Sequence, residues 1–282
     1  MTEGEIARMG NEIRRQTLRA VFHAGAGHIG GVFSAAELLA ALYFSVLRID
    51  PSKPQWPDRD RFILSKGHAA IGLYATLALR GYFSVAELAT FDAIDSRLQG
   101  HPDMTKLPGL DMSTGSLGQG LSPGVGMALG ARYMGKEFST WVMLGDGETQ
   151  EGQIWEAAFA ASRYELDNLI AILDWNHLQQ YGWSTEAGYA ASARLDPSVD
   201  PQAKWRAFGW RVLECDGHDV SEILKTCQAA LERSGRPTVI IARTTKGKGV
   251  SFMENEYAWH SRPFDAALLE RALAELNEAT PG

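Results

Sequence analysis

The alternation of short apolar runs with longer helical patterns limits the folds available to this chain. Runs that favour β-strands lie at residues 61–64, 140–144, 169–173, 210–214 and 238–242. Two pairs of these runs enclose a helical stretch, and such units form parallel strands joined by a right-handed crossover. We therefore predict an α/β fold, a doubly wound parallel sheet flanked by helices, as a single domain over residues 1–282.

The helical spacing of apolar residues predicts the helices that flank this sheet. They lie at residues 5–23, 34–46, 122–133, 149–164 and 220–234, and one more follows the loop 65–68 and ends near residue 80. Ser34 is the expected N-cap of the second helix, because its hydroxyl can accept a hydrogen bond from a free backbone N–H. A C-terminal helical tail is expected at about residues 264–282.

The balance of charged and apolar residues argues against several classes of partner. A formal net charge of −7 disfavours nucleic acid and anionic membranes, which both reward a basic surface. No run of about 18 apolar residues suggests a membrane span. Cys215 and Cys227 are the only cysteines, too few for a disulfide framework. Because the N-terminus also lacks a signal-peptide pattern, the expected compartment is the cytoplasm.

Polar residues follow two of the predicted strands at the points where those strands end. Gly145-Asp146-Gly147-Glu148 comes after strand 140–144, and Asp174-Trp175-Asn176 comes after strand 169–173. Parallel sheets bind ligands at the carboxyl ends of their strands. Carboxylate and amide oxygens suit Mg²⁺, which takes about six oxygen ligands and often shares them with phosphates. Each motif alone is equally typical of a turn. Together they favour a site for a metal-held diphosphate.

Another glycine-rich segment, residues 25–31, contains the spacing G-x-G-x-x-G of dinucleotide-binding folds. That fingerprint requires a strand before it, whereas a predicted helix precedes it here. We therefore do not expect a dinucleotide site in this segment.

The two strand-end motifs resemble the thiamine-diphosphate motif, which begins with G-D-G and ends with an Asn about 30 residues later. Other segments resemble the N-terminal half of transketolases, in the order of that family: Gly27-His-Ile-Gly-Gly31, Leu64-Ser-Lys-Gly-His-Ala69, Gln99-Gly-His-Pro102, Thr114-Gly-Ser-Leu-Gly-Gln-Gly-Leu121, Asp216-Gly-His-Asp219, Thr244-Thr-Lys-Gly-Lys-Gly249 and Trp259-His260. The similarity extends from about residue 8 to residue 265. The resemblance implies the thiamine-diphosphate-binding fold in the form called the PP domain.

This resemblance implies a set of ligand-binding residues. Asp146, Asn176 and the main-chain carbonyl of Leu178 match the positions that hold Mg²⁺, for which Ca²⁺ or Mn²⁺ can substitute. Contacts to thiamine diphosphate are implied for His68, Gly115, Ser116, Leu117, Asp146, Gly147, Glu148, Asn176, Lys246 and His260. Lys246 and Lys248 could both be solvated residues of a basic turn. Because glycines beside a lysine after a strand fit an anion-facing loop, we expect Lys246 to face the anion and Lys248 to be solvated.

The resemblance also implies catalytic groups. His28, His101 and His260 match histidines that face the substrate, and Glu151 matches a carboxylate in the subunit contact near the cofactor. In that reaction an alkoxide must be stabilised and a sugar hydroxyl must lose its proton, and an imidazole can do both near neutral pH. A lone histidine is more often structural. Several in Gly-flanked loops at family positions favour the catalytic interpretation, whereas His23, His177 and His218 are expected to have no catalytic role.

Full-length transketolases continue beyond the region matched here, with a domain that binds the cofactor's pyrimidine ring and a further C-terminal domain. The resemblance therefore implies the N-terminal subunit of a two-component transketolase, with a separately encoded pyrimidine-binding partner in an α2β2 heterotetramer. Such an enzyme moves a two-carbon ketol unit from a ketose, expected to be phosphorylated, to an aldose. The alternatives are a deoxyxylulose-phosphate synthase-like subunit, a 2-oxo-acid dehydrogenase α-like subunit, or a non-catalytic scaffold. Trp175 and Ser261 depart from the usual Asn and Gly of related enzymes.

Overall fold

Five parallel strands form the sheet of this chain in a computed structural model, which describes residues 1–179 and 200–278. The strands are β1 (Arg61–Leu64), β2 (Thr140–Gly145), β3 (Leu169–Trp175), β4 (Arg211–Asp216) and β5 (Thr238–Arg243). Their order in the sheet is β1-β2-β3-β5-β4, and every neighbouring pair is parallel. All five predicted strands are therefore confirmed, although the bounds of β2, β3, β4 and β5 differ by one or two residues and β3 extends to include Asp174 and Trp175.

Eight α-helices are present in the described residues. They are α1 (Glu3–Ala24), α2 (Gly30–Ala41), α3 (Ala70–Arg80), α4 (Leu121–Tyr133), α5 (Gly152–Arg163), α6 (Pro201–Ala207), α7 (Val220–Ala230) and α8 (Ala266–Glu278). The C-terminal tail predicted to residue 282 is helical as far as Glu278, and residues 279–282 lie outside the described part. The short helix α6 has no counterpart among the predicted helices. No described helix is long and apolar enough to cross a bilayer.

Helices cover both faces of the sheet. Trp141 and Met143 of β2 lie in the core shared with α1, α2, α3, α7 and α8, whereas Val142 and Leu144 lie in the core shared with α4, α5 and α6. The unit β2–α5–β3 runs along the sheet in one direction and β4–α7–β5 runs in the other. Because both crossovers are right-handed, α5 and α7 lie on opposite faces. The doubly wound arrangement is confirmed.

The register of the strands brings several loops to one edge of the sheet. Gly145 at the end of β2 pairs with Asp174 of β3, and Asp174 also pairs with Ala242 of β5. Beyond β1 the chain continues to α3 on the first face, and beyond β2 it continues to α5 on the second. The loops therefore separate above the sheet, and a crevice opens between them.

The start of the second helix differs from the prediction. Helix α2 begins at Gly30, so Ser34 lies inside it and is not its N-cap. Every residue of Gly30–Ala41 is buried, and packing of this apolar segment sets where the helix begins. The Ser34 hydroxyl instead lies 2.6 Å from Oδ2 of Asp174. Beyond Ala41 the predicted helix continues only as a π-helical turn, Leu42–Val46.

The packing of α4 generates a matched pair of predictions about stability. A Cβ added at Gly124 would lie 2.6 Å from Cγ2 of Val142 in the sheet, whereas one added at Gly126 meets no atom within 4 Å. Gly124→Ala should therefore lower the free energy of unfolding by about 1–3 kcal/mol, through overpacking of a stiff β-branched neighbour. Gly126→Ala should raise it by about 0.5–1 kcal/mol, because alanine is the better helix former. Urea unfolding of the purified chain measures the change in the free energy of unfolding for both variants. Equal changes would contradict the close packing of Gly124 against Val142.

Candidate functional site

A cavity of about 410 Å³ opens at the carboxyl edge of the sheet, between the loops that follow β1, β2, β3 and β5. Its wall includes most of the residues that the sequence predicted for the site: His28, His68, Gly115, Leu117, Asp146, Gly147, Glu148, Glu151, Asn176, Leu178, Lys246 and His260. Two predicted residues are not part of the cavity wall: the exposed Ser116, and the exposed His101, whose ring contacts the wall residue His28. Segments distant in the sequence therefore converge on one space.

Asp146 presents an unpaired oxygen to this cavity. Its Oδ1 accepts a hydrogen bond of 2.8 Å from the Gly147 N–H. Its Oδ2 is buried and has no hydrogen-bond partner among the described residues. Burial, and secondarily the nearby Asp174 carboxylate, raise the pKa of Asp146 to about 6. A buried carboxylate oxygen without a partner is unfavourable, and a cation would satisfy it.

Two further oxygens lie along the chain after β3. Asn176 Oδ1 accepts a hydrogen bond of 3.1 Å from the Leu178 N–H, across a turn in which His177 has a positive φ of 61°. This turn brings the Leu178 carbonyl back to the cavity wall. In the described residues no group of three or more His, Cys, Asp or Glu side chains could hold a metal. Asp146, Asn176 and Leu178 nevertheless fit Mg²⁺, because phosphate and water oxygens commonly complete its shell.

Lys246 connects the Leu178 carbonyl to the histidines. Its buried Nζ donates a 2.9 Å hydrogen bond to the carbonyl and lies 2.9 Å from Nδ1 of His260. An ammonium can only donate, so Nδ1 of His260 is the acceptor and its ring is neutral. Burial is the main cause that lowers the pKa of Lys246, to about 8. A lysine with this pKa remains mostly charged at pH 7 and can bind an anion.

Three histidines form a cluster beside Lys246. The ring centroid of His28 is 5.3 Å from that of His68 and 5.1 Å from that of His260, and His101 lies 6.5 Å from His28. Burial lowers the pKa of His28, and burial together with neighbouring cations lowers the pKa of His68 to about 2 and that of His260 to about 3. These three imidazoles are neutral at pH 7, so each keeps one proton that it can donate. Nδ1 of His260 already accepts from Lys246, so the proton of His260 is on Nε2.

Glu148 and Glu151 differ in their surroundings. The buried Glu148 carboxylate accepts hydrogen bonds from the Ser65 hydroxyl at 2.5 Å, the Gly118 N–H at 2.9 Å and the Gly145 N–H at 3.0 Å. It therefore joins three loops of the cavity, and a direct contact to the cofactor stays a prediction. Glu151 is exposed at the cavity edge, and its role in a subunit contact also stays a prediction.

A buried ion pair beneath the cavity was not predicted from the sequence. The Lys66 ammonium donates to Oδ2 of Asp174 and, at 2.6 Å, to the Gly31 carbonyl. The Ser34 and Thr244 hydroxyls bind the same carboxylate. Although burial alone would raise the pKa of Asp174, the Lys66 charge and these hydrogen bonds hold it below its ordinary value. The sequence contains one signal of this pair, because Asp174 is a carboxylate at the end of the apolar run 169–173.

Comparison with known proteins places the chain in a family. Residues 6–277 match the family model described as the thiamine diphosphate binding domain of transketolase. The chain belongs to this family. It is 43% identical over 274 residues to the 6-deoxy-6-sulfo-D-fructose transketolase subunit SqwG of Clostridium sp. (strain MSTE9), covering 97% of each chain. It is 42% identical over 265 residues to an apulose-4-phosphate transketolase subunit of Phocaeicola vulgatus, covering 94% of this chain and 91% of that one.

Solved structures agree with this assignment. The transketolase of Campylobacter jejuni superposes with a TM-score of 0.87 at 31% identity, over 98% of this chain and 43% of that one. This chain therefore spans less than half of that transketolase and nearly all of the two subunits. The predicted thiamine-diphosphate-binding fold and the resemblance to the N-terminal subunit of a split transketolase are confirmed. The chain is of the transketolase type among transferases.

The Lys66–Asp174 pair generates a prediction about stability. Asp174→Asn keeps the size of the side chain but leaves the buried Lys66 without its charged partner, so the free energy of unfolding should fall by about 3–5 kcal/mol. Glu214→Gln is the matched control, because its partner Arg243 has a side chain that is 57% exposed. Loss of such a surface pair should cost less than about 1 kcal/mol. Equal losses in urea unfolding of the two variants would contradict a structural role for the buried pair.

The neutral histidines generate a prediction about pH. An unfolded chain protonates each histidine as the pH falls below about 6.5, whereas the folded chain keeps His68 and His260 neutral to much lower pH. The free energy of unfolding should therefore fall by about 1.4 kcal/mol per pH unit for each of the two as the pH is lowered from 6 to 4. His68→Asn should reduce this slope by about 1.4 kcal/mol per pH unit. An unchanged slope in denaturant titrations at several pH values would show that His68 is protonated in the folded state.

Proposed function

We propose that this chain is the diphosphate-binding subunit of a two-component transketolase that uses thiamine diphosphate and Mg²⁺. The observation that carries the proposal is the convergence, in one cavity, of the unpaired Asp146 oxygen, the Lys246 ammonium and three neutral histidines. Relatives of nearly the same length are named as transketolase subunits. The reaction is the transfer of a two-carbon ketol unit from a ketose to an aldose.

The lower part of the cavity would hold the cofactor's diphosphate. Asp146, Asn176 and the Leu178 carbonyl would bind the cation, which in turn binds phosphate oxygens. Lys246 would supply a positive charge to the same phosphates. A Cβ added at Gly147 would lie 3.3 Å from the Gln179 Cβ, so glycine lets the chain after β2 pack closely against Gln179 in the cavity wall.

The histidines would face the reacting sugar. The cofactor, when bound, supplies the nucleophilic carbon that carries the ketol unit between sugars. His28 and His260 are neutral, so a ring nitrogen with a proton can donate to a developing alkoxide. His68, which is also neutral, would contact the cofactor. A ring nitrogen without a proton can accept one from a sugar hydroxyl. The ring of the exposed His101 lies 6.5 Å from that of His28, and we propose that it faces the substrate as a third catalytic histidine.

A partner subunit would complete the site. Of the three carboxylates in the described cavity wall, Asp146 faces the proposed cation site and Glu148 is bound by three loops, which leaves Glu151 at the cavity edge. The related transketolase of C. jejuni is more than twice as long as this chain. Because relatives that this chain covers almost fully are named as transketolase subunits, we propose a separately encoded pyrimidine-binding subunit in an α2β2 assembly. We propose the cytoplasm as the compartment, as expected from the sequence.

The substrates are expected to carry an acidic group. The two relatives are named for 6-deoxy-6-sulfo-D-fructose and apulose-4-phosphate, and both sugars carry a sulfonate or a phosphate. We propose a phosphorylated or sulfonated ketose as the donor for this chain. The experiment combines the chain with its partner, thiamine diphosphate and Mg²⁺, and assays ketol transfer among such sugars. Failure with every donor would refute the proposal, and turnover of pyruvate instead would identify a synthase-like or dehydrogenase-like enzyme.

The unpaired carboxylate oxygen generates the central functional prediction. Asp146→Ala should weaken Mg²⁺-dependent binding of thiamine diphosphate by more than about a hundredfold, since loss of even an outer partner of a metal ligand costs roughly ten- to hundredfold. Isothermal titration of the assembled protein measures the affinity. Asp95→Ala, at an exposed position, is the control and should bind the cofactor normally. Unchanged affinity in Asp146→Ala would favour the non-catalytic scaffold.

A further inference from the structure

A series of polar contacts extends from helix α1 to the loop that carries Lys246. The Arg14 guanidinium binds both oxygens of Glu37, at 2.5 Å and 2.6 Å. Oε2 of Glu37 lies 3.0 Å from Nδ1 of His218. The other ring nitrogen of His218, Nε2, accepts a hydrogen bond of 2.8 Å from the Thr245 N–H. His218 therefore connects a buried ion pair on the first face of the sheet to the residue that precedes Lys246.

These contacts determine the protonation of His218. Although burial acts to raise it, the Arg14 charge and the hydrogen bonds from His218 and Arg14 lower the pKa of Glu37 to about 2. The ionised Glu37 can only accept, so Nδ1 of His218 must carry the proton. The Thr245 N–H can only donate, so Nε2 must have a free lone pair. Only the neutral Nδ1–H tautomer satisfies both partners.

The loop held by His218 has little freedom to move. The Thr244 hydroxyl donates to Asp174, so two successive residues of the loop are bound by buried or half-buried side chains. Gly217 packs closely against the same loop, since a Cβ there would overlap Cγ2 of Thr244. Asp216 accepts a hydrogen bond from the His218 N–H, which orients the histidine itself. A shift of Thr245 would displace Lys246, whose Nζ binds the Leu178 carbonyl and His260.

We propose that His218 is a positioning residue, whose Nε2 lone pair holds the Thr245 amide and thereby places the Lys246 ammonium for an anionic ligand in the cavity. His218 is not part of the cavity wall, so it acts through Lys246 and does not touch the ligand. This role differs from the structural one expected of a histidine in a turn. That the anion is the diphosphate of the cofactor rests on the proposed function.

Two substitutions separate the two contacts of the ring. In His218→Asn, the amide nitrogen takes the place of Nδ1 and can donate to Glu37, but no acceptor reaches the Thr245 N–H. In His218→Gln, the amide oxygen takes the place of Nε2 and can accept from Thr245. Because a half-buried N–H without an acceptor is unfavourable, the Asn variant should raise the KM for thiamine diphosphate about tenfold while the Gln variant stays within about threefold of the wild type. The value of kcat should change less than KM in both variants.

The assay uses the chain assembled with its partner, and His23→Asn at an exposed position is the control. A larger KM for thiamine diphosphate in His218→Asn than in His218→Gln, with similar thermal unfolding midpoints of the two variants, supports the positioning role. Equal effects of the two substitutions, or a loss of kcat alone, would overturn it.

Two measurements on the chain test the contact without relying on the proposed function. In ¹⁵N NMR spectra of the wild type, His218 should be the Nδ1–H tautomer. Its signals are assigned by their loss in His218→Gln. Observation of the Nε2–H tautomer in the wild type would overturn the proposal even if a variant failed to fold. The Thr245 amide should exchange slowly with solvent in the wild type and in His218→Gln, and faster in His218→Asn. If these results hold while the wild type binds no thiamine diphosphate, the positioning of Lys246 stands and only the identity of the anion is wrong.

Discussion

The buried ion pair between Lys66 and Asp174 is the interaction on which the rest of the site depends. Asp174 lies near the end of the central strand β3, and its carboxylate binds the Lys66 ammonium and the Ser34 and Thr244 hydroxyls. Lys66 is two residues before His68, Thr244 is two residues before Lys246, and Asp174 is two residues before Asn176. One carboxylate therefore sets the positions of three loops that line the cavity. Buried charges persist only when they are paired and hydrogen-bonded, so this arrangement tolerates little change.

Burial also controls the charge within the cavity. Several groups that could be cationic lie close together, and desolvation is the main cause that lowers the pKa of His68, His260 and Lys246. The histidines are consequently neutral and available for proton transfer, while Lys246 keeps most of its charge at pH 7. The Asp146 carboxylate is affected in the opposite direction, because desolvation raises its pKa. A cation beside Asp146 and an anion beside Lys246 would each favour the charged form of its neighbour.

The sequence was sufficient to predict the strands of the sheet and most residues of the site. It was not sufficient to predict which side chains contact one another within the site. The strands were predictable because a buried parallel strand is a short run of apolar residues, and the turn after β2 was predictable from its Gly-Asp-Gly motif. The beginning of α2 at Gly30 was not predictable, because packing determines where a fully buried helix begins. The Ser34 hydroxyl, which was the expected N-cap, hydrogen-bonds Asp174 instead. Two side-chain contacts were not predictable either. Glu148 binds Gly118, which is 30 residues away in the sequence, and His218 binds Glu37, which is 181 residues away, so no local pattern marks either contact.

The sequence by itself determined the fold class, the family and the residue types available for binding a metal and a diphosphate. These features depend on local periodicity and on motifs of a few residues, which a chain carries whether or not it is folded. Only the tertiary structure decided which oxygen of Asp146 lacks a partner, which histidines are neutral, and which nitrogen of His218 carries its proton. Each of these depends on burial and on neighbours brought from other elements, because desolvation and hydrogen bonding act through space and not along the chain.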